Sequence, residues 1–156
     1  MALIYRVALM PAAYRNRPGY RLTSTSITVH NTANPNATAA NHVSYLNAEP
    51  RSASWHICVD DKEAVLQIPL NEQAWHTGTN AGNTSSIGIE VCEFTDKARQ
   101  DKAIANAAEL IAAMLDDLSG RFAVDKGRIF VTGFSNGASM NFRVGAELSD
   151  RIAAIA

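Results

Sequence analysis

The sequence predicts an α/β fold, a sheet with helices packed against it in one layered domain spanning residues 1–156. Three observations carry this. Short runs of strand-like residues recur at 27–30, 54–59, 64–68 and 86–94. Apolar residues at helical spacing occupy 39–46 and 104–118. A strand, a glycine-bounded turn and a helix then follow over 128–148. A chain of 156 residues buries one core of ordinary size without disulfides or metals as staples.

The elements follow in order. The start, residues 1–10, lacks a basic leader, and Arg6 interrupts its apolar run. It reads as neither a secretory signal nor a span, so the expected location is the cytoplasm. Residues 11–26, rich in Pro, Arg, Ser and Thr, form an irregular arm. Ile27 to His30 is a short strand, with Ile27 and Val29 flanking Thr28, and Asn31 begins a turn. Asn34-Pro35-Asn36 breaks the chain, and Ala39, Ala40, Val43 and Leu46 mark a short amphipathic helix. Ser54 to Val59 and Ala64 to Ile68 flank Asp60-Asp61-Lys62-Glu63, which suits a hairpin. The polar loop His76 to Ser85 suits a site rim.

Ser86 to Phe94 is a strand with Ile87, Ile89 and Val91 on one face. A long helix carries the stripe Ile104, Ala107, Ala108, Ile111, Leu115 and Leu118 and ends at Ser119-Gly120. Arg128 to Thr132 reads as a buried strand, Gly133 to Gly137 as a tight turn and Met140 to Leu148 as a helix. The last seven residues run apolar to Ala156. That uncovered end predicts a homodimer through the C-terminal segment.

Composition removes several function classes. Hydrophobic residues make up 47% and charged residues 19%, with a formal net charge of -1. No basic field exists for a phosphate backbone, so neither nucleic acid nor a membrane is an expected partner. Cys58 and Cys92 lie in apolar runs and read as two reduced strand cysteines. No C-x-x-C or H-E-x-x-H spacing occurs, so no metal site follows from spacing alone.

Four blocks carry a resemblance: Ile27-Thr28-Val29-His30-Asn31-Thr32, Ser54-Trp55-His56-Ile57-Cys58-Val59-Asp60-Asp61, Ala74-Trp75-His76-Thr77-Gly78, and Ser86-Ile87-Gly88-Ile89-Glu90-Val91-Cys92. In this order, residues from about 3 to 115 resemble the zinc-dependent N-acetylmuramoyl-L-alanine amidases of phages and bacilli, relatives of peptidoglycan recognition proteins. The resemblance implies an amidase-like central mixed sheet flanked by helices, with the site at the strand ends. It implies peptidoglycan as substrate, zinc as cofactor and phage-type release at lysis as the parent's route. His30 matches the first zinc ligand, and Glu90 matches the carboxylate that takes a proton from the attacking water. Trp55, His56, Trp75 and His76 match groove blocks. Taken alone, His30 reads as a capping or core histidine, Glu90 as a solvent-side strand residue, Trp75 as a rim or core aromatic, and His42 as solvated.

The remaining family ligands should follow the long helix. There the resemblance sets Gly133 at the histidine position, Ser139 at the lysine and Asn141 at the cysteine, and none of the three is a serviceable zinc ligand. A metal would need His76, His56 or Glu90 beside His30, or a residue from a second copy.

Residues 116–156, with Gly133-Phe134-Ser135-Asn136-Gly137 at their centre, resemble a different family, the α/β-hydrolase esterases of polyhydroxybutyrate-depolymerase and feruloyl-esterase type. Ser135 matches the nucleophile of the strand-to-helix elbow. No histidine follows residue 76, so its base would have to be His30 or His76, and a glycine-rich turn is the plainer reading. The two resemblances meet near 110–125 and together suggest a chimera.

The sequence therefore predicts a metal-dependent hydrolase on an amidase-like scaffold, acting on a peptidoglycan fragment or a small amide or ester. A non-catalytic peptidoglycan-binding module and a serine esterase using Ser135 stand as alternatives.

Overall fold

The computed structural model describes residues 3–48, 51–132 and 136–155, with backbone alone for 136–139. Five strands form the central sheet: β1 (Ile4–Val7), β2 (Ser26–Asn31), β3 (Ile57–Val59), β4 (Glu63–Leu66) and β5 (Ser86–Val91). Their spatial order is β1-β4-β3-β5-β2. Only the β3–β4 hairpin is antiparallel; β1–β4, β3–β5 and β5–β2 are parallel. The sheet is mixed and helix-flanked, as expected.

Two capped helices attach to it. Helix α1 (Ala39–Leu46) starts on a capping box: the Thr38 side chain accepts from the Asn41 N–H, and the Asn41 side chain accepts from the Thr38 N–H. Helix α3 (Lys97–Arg121) starts on Asp96, whose carboxylate accepts from the Arg99 N–H, and buries Ala103, Ile104, Ala107, Ala108, Leu110 and Ile111. Asp60 ties α1 to the hairpin. One carboxylate oxygen accepts from Ala39 N at 2.9 Å, the other from Lys62 N at 2.7 Å and Glu63 N at 2.8 Å. The core combines the α3 stripe with Ile57, Val59, Val65, Ile89 and Val91. Each such side chain contributes roughly 1.5–3 kcal/mol on burial.

Four features depart from the sequence reading. Residues Ile4–Val7 form the edge strand β1, because Arg6, which breaks the apolar run, pairs with Glu63 on neighbouring β4 at 2.7 Å. Within the polar loop, Asn80–Ser85 forms a short helix, α2, with no buried residue. The predicted buried strand at 128–132 shortens to β6 (Phe130–Val131), and Phe130 is 64% exposed. Among the described residues it pairs with β7 (Ala154–Ile155) alone, outside the central sheet. A two-stranded ribbon buries little, so an apolar run did not mean an interior strand here. The C-terminal run expected to seek a second copy finds its strand partner inside the chain.

Helix α4 (Asn136–Glu147) links β6 to β7 and packs on β2 and α3, burying Met140, Asn141 and Val144. Among the described residues, no helix is long and apolar enough to cross a membrane.

Candidate functional site

Strands β2, β3 and β5 run parallel, so their C-terminal ends open on one side of the sheet, where ligands collect in α/β folds. Alternation along β5 sends Ile87, Ile89 and Val91 to one face and Gly88 and Glu90 to the other. Register sets His30 of β2 and Cys58 of β3 beside Glu90. Gly88 leaves room for the ring of His76: a Cβ there would lie 2.6 Å from His76 Cγ.

The histidines form a directed chain of hydrogen bonds. His76 Nε2 lies 3.2 Å from the carbonyl of Ser86, which only accepts, so this nitrogen carries the proton. Its Nδ1 then accepts from His30 Nε2 at 3.2 Å. The two rings meet edge-on with centroids 5.4 Å apart. Burial, first among the causes, lowers the His76 pKa to about 4, and burial lowers that of His30 as well. Both rings are neutral at neutral pH.

His56 is fully buried, and its ring is spent on backbone. Nδ1 accepts from the Gly88 N–H at 2.9 Å, and Nε2 donates to the Glu72 carbonyl at 2.8 Å. It braces β3 against β5 and the 69–73 turn. The expectation that it touches substrate or metal is corrected accordingly. His42 is also corrected: it is buried on α1, edge-on to Trp55 at 5.8 Å, not solvated.

Glu90 occupies the base of the site. Its Oε2 is buried without a hydrogen-bond partner, and burial raises its pKa to about 8. Near pH 7 burial therefore favours its neutral, protonated form.

A groove of about 470 Å³ opens above this base, with Trp55, Trp75, His76, Thr79, Asn83 and Glu90 among its lining residues. Trp55 is fixed by its indole N–H on Gln67 Oε1 at 2.7 Å and by stacking with Tyr45. Trp75 and Ser54 exchange two bonds, each 3.0 Å. The groove lining includes Trp55, Trp75, His76 and Glu90, which the sequence blocks name, and part of the 76–85 loop. Thr79 and Asn83 lie within that rim loop but are singled out by no sequence pattern, because their position depends on the fold of the loop. Ser135 lies outside the described residues.

Zinc does not fit these residues. It needs three or four neutral imidazoles, thiolates or carboxylates around one point. Both nitrogens of His76 and of His56 are engaged, and Cys58 and Cys92 are buried facing each other with sulfurs 3.6 Å apart. Asn141, at the family's cysteine position, is buried with its Nδ2 unpartnered. Among the described residues, no three histidines, cysteines or acids converge to hold a metal.

The sheet topology and the groove at its parallel strand ends define a mixed α/β domain with its candidate site at the strand ends. The family model described as N-acetylmuramoyl-L-alanine amidase matches residues 20–133, and the chain belongs to that family. It is 47% identical over 110 residues to N-acetylmuramoyl-L-alanine amidase XlyA of Bacillus subtilis (strain 168), covering 68% of this chain and 37% of the relative. It is 42% identical over 113 residues to CwlH of the same organism, covering 69% and 45%. The chain thus spans about two fifths of the curated relatives it matches. The solved catalytic domain of XlyA superposes with a TM-score of 0.67 at 44% identity, over 74% of this chain and 77% of that one.

Proposed function

We propose that this chain acts on peptidoglycan by seating the N-acetylmuramoyl–L-alanine linkage in the Trp55–Trp75–Glu90 groove, as a recognition domain of the amidase family. The observation that carries the reading is the groove itself. Half-buried Trp75 offers an apolar face to a sugar or an alanyl methyl beside the packed wall of Trp55, while protonated Glu90 supplies a polar contact without a fixed charge. The misfit of zinc favours binding over turnover. Purified sacculi incubated with the protein should retain it on sedimentation, with no new L-alanine amino termini released. Failure to co-sediment would overturn the reading.

Hydrolysis of the same linkage is the second reading, favoured by the placing of His30 beside Glu90 in register and its hydrogen bond to His76. A protonated Glu90 could supply the proton that a departing amine requires. Release of L-alanine amino termini that is lost in Glu90→Gln would establish this reading in place of the first.

A further inference from the structure

The groove loop contains a side chain whose two ends have different occupations. Asn83 Oδ1 lies 3.0 Å from the backbone N of His76, 3.0 Å from the backbone N of Thr77 and 3.0 Å from Thr77 Oγ1. Backbone N–H groups only donate, so the atom receiving two of them is the oxygen, and the orientation of the amide is fixed. Its oxygen is saturated by its own loop. Its Nδ2, with two N–H donors, has no hydrogen-bond partner among the described residues, and Asn83 lines the groove with Glu90 and both tryptophans.

We propose that Asn83 is the groove's carbonyl-recognising residue: its Nδ2 donates to an amide carbonyl of the bound muramoyl–alanyl group, while its Oδ1 holds the His76 loop. The inference rests on the reading that this groove receives that group. An amide carbonyl is the matching chemistry, because a neutral double donor pairs with a neutral acceptor without taking a charge out of water. Gly82 permits the arrangement. A Cβ there would lie 2.4 Å from Thr77 Oγ1, so the loop closes tightly enough for Thr77 and Asn83 to meet only with glycine at that position.

The test compares Asn83→Asp with the unchanged protein, using N-acetylmuramoyl-L-alanine methylamide as the probe in titration calorimetry. Aspartate keeps an oxygen for His76 N, Thr77 N and Thr77 Oγ1 but replaces the free donor by an acceptor. The expected result is at least a tenfold weaker Kd, with the backbone amide resonances of His76 and Thr77 unmoved in NMR spectra. Wild-type affinity in the variant would overturn the proposal. So would weaker binding accompanied by displaced His76 and Thr77 resonances, since Asn83 would then act only through the loop. If the unchanged protein fails to bind the probe, the groove reading falls together with the proposal. Binding that ignores Asn83 removes the proposal alone.

Discussion

Glu90→Gln should remove the alkaline loss of stability expected of the native chain between pH 6.5 and 8. Glu90 carries a folded pKa of about 8 against an ordinary value of 4.5, because burial disfavours its charged form. Between those values the folded chain holds a proton that the unfolded chain has released. Stability therefore falls as pH rises, by about 1.4 kcal/mol per unit. His76 acts with the opposite sign. Its folded pKa of about 4 lies below the ordinary 6.5, so the unfolded chain takes up the proton first and stability rises from pH 4 to 6.5. His30 and His56, also lowered by burial, add to that rise. The slopes oppose each other up to pH 6.5, and above it Glu90 acts alone. Urea midpoints should peak near pH 6.5 in the native chain and stay level to pH 8 in the glutamine variant. At pH 8 the variant should be more stable by roughly 3–5 kcal/mol. Equal slopes in the two proteins would refute the assigned environment of Glu90.

Gly88→Ala should cost both stability and the groove. The added methyl would meet His76 Cγ at 2.6 Å and its Cδ2 and Nδ1 at 2.7 Å. Such contacts cannot persist, and Gly88 is itself held by two bonds to His56, N–H to Nδ1 and carbonyl to backbone N. The ring of His76 must therefore leave, giving up its bonds to His30 and to the Ser86 carbonyl. Overpacking together with two lost hydrogen bonds amounts to about 2–4 kcal/mol. Chemical denaturation and the ring resonances of His30 and His76 would measure it. Native stability with unmoved ring signals would show that the glycine is dispensable.

Much of the scaffold was legible because it is periodic. Ile87, Ile89 and Val91 announce β5, and the paired apolar runs around Asp60 announce the hairpin. The blocks at 27–32, 54–61, 74–78 and 86–92 contain His30, His76 and Glu90, which the fold sets on one side of the sheet. What escaped depends on distant backbone. His56 belongs to a groove block, yet its partners are the N–H of Gly88 and the carbonyl of Glu72, which no local pattern exposes. Glu90 could be named as a site carboxylate, but its protonation follows from tertiary burial. Helix α2 has neither an apolar stripe nor strong helix formers. It is held by the Thr79 cap and by the Thr84 and Ser85 hydroxyls bonding back to the Asn80 and Ala81 carbonyls. The segment after Arg121 misled in another way, since an apolar strand sequence such as Ile129-Phe130-Val131 looks the same in a sheet interior and in an exposed two-stranded ribbon.

The central claim is that this groove binds the muramoyl–alanyl group with the chain's own residues and without a resident zinc ion. Calorimetric titration of N-acetylmuramoyl-L-alanine methylamide, run once with a chelator and once with equimolar zinc, tests it most directly. The account predicts saturable one-to-one binding with the same Kd in both conditions. Binding that appears only with zinc would contradict it, as would the absence of binding in either.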